Sequence, residues 1–86
     1  MKILEAMALG SPVVSTSIGA EGLGLEDGGD LLIADGPDQF AAAAVRVLRD
    51  MTLAAALAER GRRTVVERFS WEAVVAALEE VYQSIR

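Results

Sequence analysis

Glu5 is the residue in this chain best placed to do chemistry. It lies in the segment Lys2–Thr16, KILEAMALGSPVVST, between Leu4 and Ala6, in the most apolar local setting of any acid in the sequence. A helix-borne carboxylate in such a setting can accept hydrogen bonds from a pair of ribose hydroxyls, as acids of Rossmann-like folds do. A solvated helix face, or a helix-end ion pair with Lys2, is the alternative that the spacing leaves open. The second candidate is the glycine-bearing stretch Thr16–Gly24, with Gly19 and Glu21 inside it. It follows an apolar strand, and ligands of open α/β sheets bind beyond the C-terminal ends of the strands. Glycines there let backbone N–H groups approach a ligand closely, although a plain turn-rich connection has the same composition. The glycines at 22 and 24 lead into no capped helix, so the dinucleotide fingerprint is not met.

Other chemistries are excluded by what the chain lacks. Without histidine or cysteine, Ser-His-Asp and Cys-His catalysis and Cys-based zinc sites have no residues to use. No two carboxylates have a spacing that implies acid–base work. Arg60, Arg62, Arg63 and Arg68 could grip an anion, but Glu59 and Glu67 lie among them and a solvated surface is the better reading. Glu79 and Glu80 read as a wet face, and Trp71 with Tyr82 as core. With 8 basic and 13 acidic side chains the net charge is −5, which argues against a nucleic-acid partner. No apolar run is long enough to span a bilayer and no signal-peptide pattern opens the chain, so a cytoplasmic protein with no transmembrane segment is expected.

The elements that must position these residues follow from the pattern. Lys2–Leu9 reads as a helix stopped by Gly10, with Pro12 blocking its continuation and Val13–Val14 forming a short strand. Ser15–Gly29 is loop-like, and Leu31–Ile33 is a second strand closed by Ala34–Gly36. Pro37 opens a helix with Phe40, Ala44, Val47 and Leu48 on one side. Asp50 caps the next helix, which should stop near Gly61, leaving Arg62–Phe69 as a short helix or turn. Ser70 should cap a last helix with Trp71, Val74, Val75, Leu78, Val81, Tyr82 and Ile85 on one face. The expected fold is therefore α/β: two short parallel strands with four to five helices, residues 1–36 holding the site and 37–86 forming a helical tail. An 86-residue chain buries only a modest core. Two short strands buried on both faces ask for parallel neighbours from another segment, or from a swapped or dimeric arrangement.

Lys2–Thr16 resembles the nucleotide-sugar-binding segment of group 1 (GT4-type) glycosyltransferases of the GT-B fold. The resemblance continues through Gly19–Leu23, Leu31–Asp35, Phe40–Ala41, Gly61–Arg62 and Phe69–Trp71, nearly the whole chain. It implies a Rossmann-like half that binds the donor in an enzyme moving a sugar from a nucleotide-diphosphate sugar to an acceptor. Retention at the anomeric carbon and no obligatory metal or other cofactor are part of that implication. Glu5 matches the family glutamate that accepts the ribose hydroxyls. Thr16, Gly19 and Glu21 match the loop at the cleft edge, and the last helix matches one that crosses back towards the N-terminal domain. The family's second glutamate, its diphosphate-gripping basic residues and its acceptor domain all map before Met1. The chain alone is therefore expected to be inactive, its partner being the missing N-terminal domain or a second copy. The full enzyme is expected in the cytoplasm or at the inner face of the membrane. A non-catalytic interaction module derived from such an enzyme is the alternative, and an unrelated helical adaptor a third.

Overall fold

The computed structural model describes residues 2–69 and 71–84. Among these, four helices accompany two short strands in the order α1 (Lys2–Ala8), β1 (Val14–Ser15), β2 (Leu32–Ile33), α2 (Pro37–Arg49), α3 (Met51–Arg68) and α4 (Trp71–Ser84). The fold is α/β and helix-rich, consistent with a partial Rossmann-like half. The strands pair in parallel with Val14 opposite Leu32 and Ser15 opposite Ile33. Each begins one residue later than the apolar pattern suggests, because the ladder is anchored by the flanking bonds Leu32 N–H to Val13 O (3.0 Å) and Ala34 N–H to Ser15 O (2.9 Å).

Local signals set most of the element ends. Gly10 adopts φ 76° after α1. Its N–H reaches Met7 O and that of Ser11 reaches Ala6 O, both at 3.0 Å, so the last carbonyls of the helix are satisfied in a Schellman turn. Pro37 occupies the start of α2, where no N–H is needed. Asp50 serves two helices at once: its N–H closes α2 on Arg46 O, and its side chain accepts from Leu53 N–H at 3.0 Å to open α3.

The core lies where α1 packs against α3 and α4, with Met7, Leu31, Leu57 and Val65 fully buried. Burying side chains of this size contributes about 1.5–3 kcal/mol each. Here the first correction arises. Gly61 does not end a helix; α3 runs unbroken to Arg68, so 62–68 is neither a separate helix nor a turn. A Cβ on Gly61 would lie 2.9 Å from Asp30 O and 3.3 Å from Met7 Cε. Glycine is required there for close approach between packed elements, not for a stop.

The second correction concerns the aromatic residues. Trp71 is 70% and Tyr82 62% exposed, because α4 turns Val74 into the core and leaves its aromatic flank in solvent. Val75, Leu78 and Val81 are half-buried, as part of the expected face. Ser70 and Ile85, expected as the cap and the last apolar position, lie outside the described residues. On α2 the apolar stripe forms but covers little: no α2 residue is buried, and Leu48 is 82% exposed.

Candidate functional site

Parallel pairing brings the C-terminal ends of β1 and β2 to one edge, so Thr16–Gly24 and Ala34–Gly36 meet there. The loop after β1 is tightly turned. Thr16 Oγ1 accepts from Gly19 N–H at 3.1 Å, and Thr16 O accepts from Ala20 N–H at 3.1 Å. Glu21 N–H to Ile18 O and Leu23 N–H to Ala20 O, both 3.2 Å, continue the winding around the buried Ala20. Ser15 Oγ donates to Thr16 O at 3.0 Å. A Cβ on Gly19 would stand 2.7 Å from that hydroxyl, so the turn admits only glycine without a shift.

Asp35, two residues beyond β2, ties this loop down. Its Oδ1 accepts from Ser17 N–H at 2.9 Å and its Oδ2 from Ser17 Oγ at 2.6 Å. These two bonds hold the Asp35 carboxyl below its ordinary value. A hollow of about 470 Å³, lined by Thr16, Gly36, Pro37, Phe40 and Ala41, opens on one side of the junction. A smaller one of about 300 Å³ is lined by Ser17, Ile18 and Glu21.

The expected site residues divide between two places. Thr16, Gly19 and Glu21 are brought together in the loop. Glu5, half-buried in the first turn of α1, lines neither hollow and faces α4, where its carboxyl meets that of Glu80. The Glu80 contact holds the Glu5 carboxyl below its ordinary value; partial burial opposes this, and the charge of Lys2 adds to it.

Asp30 and Asp35 were not singled out by sequence reasoning. Asp30 is 1% exposed. It accepts from Thr64 Oγ1 and from Glu26 N–H, and Arg60 Nε stands 3.6 Å away. Burial pushes its carboxyl up, but the Thr64 and Glu26 bonds with the Arg60 charge outweigh that, and the net direction is down. Arg60 also pairs with Glu26 at 2.6 Å, and Arg68 Nη1 donates to Gly24 O at 2.9 Å. Two of the four arginines read as solvated surface thus anchor the loop before β2. Asp27 completes the set by accepting from Ile33 N–H at 2.8 Å. The available signal was an acid at either end of the apolar run 31–34; its partners, up to 34 residues away, left none. These groups are positioned for binding and anchoring. No cluster of three or more His, Cys, Asp or Glu capable of holding a metal occurs among the described residues.

Residues 1–50 match the family model described as Glycosyl transferases group 1. Among curated proteins, the chain is 42% identical over 77 residues to the lipopolysaccharide core biosynthesis glycosyltransferase LpsE of Rhizobium meliloti, covering 87% of this chain and 23% of that protein. It is 38% identical over 81 residues to the D-inositol 3-phosphate glycosyltransferase of Salinispora arenicola, covering 92% and 18%. It is 35% identical over 85 residues to the phosphatidyl-myo-inositol mannosyltransferase of Mycolicibacterium smegmatis, covering 96% and 22%. The chain thus spans about a fifth of the length of these relatives, between 18% and 23%. No solved structure matches it. None of the described helices is long and apolar enough to cross a membrane.

Proposed function

The chain belongs to the group 1 glycosyl transferases, and from that membership we propose that it is the C-terminal part of the donor-binding half of a cytoplasmic GT-B enzyme. Such an enzyme moves a sugar from a nucleotide-diphosphate sugar to an acceptor with retention. In this reading Glu5 accepts the two ribose hydroxyls of the donor. The loop carrying Thr16, Gly19 and Glu21 forms the wall of the donor cleft at the strand ends. The nucleotide sugar enters as substrate, and no metal or organic cofactor is called for. Cations for the diphosphate, contacts to the transferred sugar and the acceptor site come from residues outside these 86, since a pyrophosphate needs cationic or N–H partners and Lys2 is the nearest cation to Glu5 in sequence. The chain by itself binds the nucleotide end of the donor weakly and does not turn it over.

The observation that carries this reading is that the family match over residues 1–50 includes Glu5 and the whole β1–β2 loop. Titrating the 15N-labelled chain with UDP, GDP and ADP tests it. Shifts should concentrate in the first turn of α1 and in residues 16–24, and Glu5→Ala should weaken binding about tenfold, the scale of a lost charge-assisted hydrogen bond. Binding indifferent to Glu5→Ala would sink the proposal. The exposed stripe of α2 favours a second reading, a non-catalytic module that associates with itself or a partner. A stable oligomer with no nucleotide affinity would support that reading instead.

A further inference from the structure

Asp35 is placed to do more than follow a strand. It stands one residue before Gly36, the N-cap of α2, where a carboxylate ordinarily finds helix N–H groups to accept. No side chain caps α2, and both oxygens of Asp35 are turned instead onto Ser17, 18 residues earlier in the chain. One bond fixes the backbone of the loop and the other its first hydroxyl. Ser17 itself lines the smaller hollow, and its neighbour Thr16 lines the larger. The winding beyond Ser17 is closed by the Thr16–Gly19 and Thr16–Ala20 bonds, which start from the residue next to the one Asp35 holds.

We propose that Asp35 is a positioning residue: by clasping Ser17 it makes the Thr16–Gly24 loop a preformed wall of the site and not a lid that closes on the ligand. The inference rests on the donor-binding reading for its consequence, but the clasp itself is independent of any ligand. Preformation means that a nucleotide diphosphate meets a loop whose ordering has already been achieved in folding, and removal of the clasp transfers that ordering cost to the binding step.

Three variants of the 86-residue chain test the clasp: Asp35→Ala, Asp35→Asn and Ser17→Ala. Asparagine can accept from Ser17 N–H through its Oδ1 and donate to Ser17 Oγ through its Nδ2, so it preserves the geometry without the charge. With Asp35→Ala the amide-proton shifts and exchange rates of Ser17 and Gly19 should move towards those of an open loop, while methyl signals of Met7, Leu57 and Val65 stay in place. Affinity for UDP or GDP should fall about fivefold, the scale of a coupled hydrogen-bonded pair. Asp35→Asn should restore both readouts to within about twofold, and Ser17→Ala should lie between. Two results would overturn the proposal: an unchanged loop in Asp35→Ala, or Asp35→Asn as damaging to binding as Asp35→Ala, which would make the carboxylate a ligand contact. Should Glu5→Ala leave nucleotide binding intact, the donor reading fails, yet the amide data still decide the clasp.

Discussion

Residues 16–36 and residues 37–49 are neighbours in sequence and are held in opposite ways. The first stretch buries Leu31 and Leu32 and is fastened besides by carboxylates. Asp27 accepts from Ile33 N–H, Asp30 from Glu26 N–H and Thr64, and Asp35 from Ser17. The second stretch, α2, has a clear apolar stripe and buries none of it. The difference shows which parts of the molecule are complete within these residues. Directional bonds to named partners settle the geometry of the loop segment internally. On the α2 face Ala44 and Val47 are only half-buried, and Phe40 and Leu48 stay exposed.

Three substitutions probe that contrast, the largest effect first. Asp30→Ala removes the carboxylate that links the loop to α3, leaving the buried Thr64 hydroxyl without its acceptor and Arg60 with Glu26 alone, and should cost about 3 kcal/mol in urea unfolding. A loss below about 1 kcal/mol would show that polar anchoring is not what holds residues 16–36. The same group gives the pH dependence. The folded value of Asp30 lies below its ordinary 3.8, so its contribution is fully present above that pH and is lost as pH falls through the lower folded value. The urea midpoint should therefore be level from neutrality to mild acid and then decline, and Asp30→Ala should flatten part of that decline. Gly61→Ala comes next. Better helix propensity is worth about 1 kcal/mol, but the new methyl meets Asp30 O and Met7. Overpacking should win, with a net loss of about 1–2 kcal/mol by thermal or urea unfolding. A stabilised Gly61→Ala would mean that α3 does not approach Asp30 and Met7 this closely. Leu48→Glu should change stability by less than about 0.5 kcal/mol, since the side chain already faces solvent. A larger loss, together with a concentration-dependent mass in the parent chain, would show that the α2 face is covered by a second copy.

What could be read from sequence was what is encoded within a few residues. The helix around Glu5, the Gly10 turn, the Pro12 break, the Pro37 start and the Asp50 cap all rest on local backbone chemistry, and each stands where it was expected. Gly61 was misread because glycine ends helices and also permits close packing, and only the positions of Met7 and Asp30 separate the two roles. Trp71 and Tyr82 were misread because periodicity says which residues share a face but not how that face is rotated onto its neighbours. Arg60 and Arg68 sat among acids of their own helix, while the partners they use, Glu26, Asp30 and the Gly24 carbonyl, come from a distant loop. The residues proposed for ligand contact rest on the family resemblance alone. Asp35, which positions the loop, was not legible, because its role exists only once β1 and β2 are side by side.

The Asp30–Thr64 bond has a consequence in time as well as in space. Its partners are 34 residues apart, so it closes only after the loop before β2 and most of α3 have come together. Local helix formation in α2 and α3 gains nothing from it, whereas opening the finished molecule must break it. Bonds of this kind, where they form after the folding transition state, govern mainly how slowly a domain comes apart. The loop that Asp30 anchors should therefore be kinetically persistent even in a chain whose overall stability is modest.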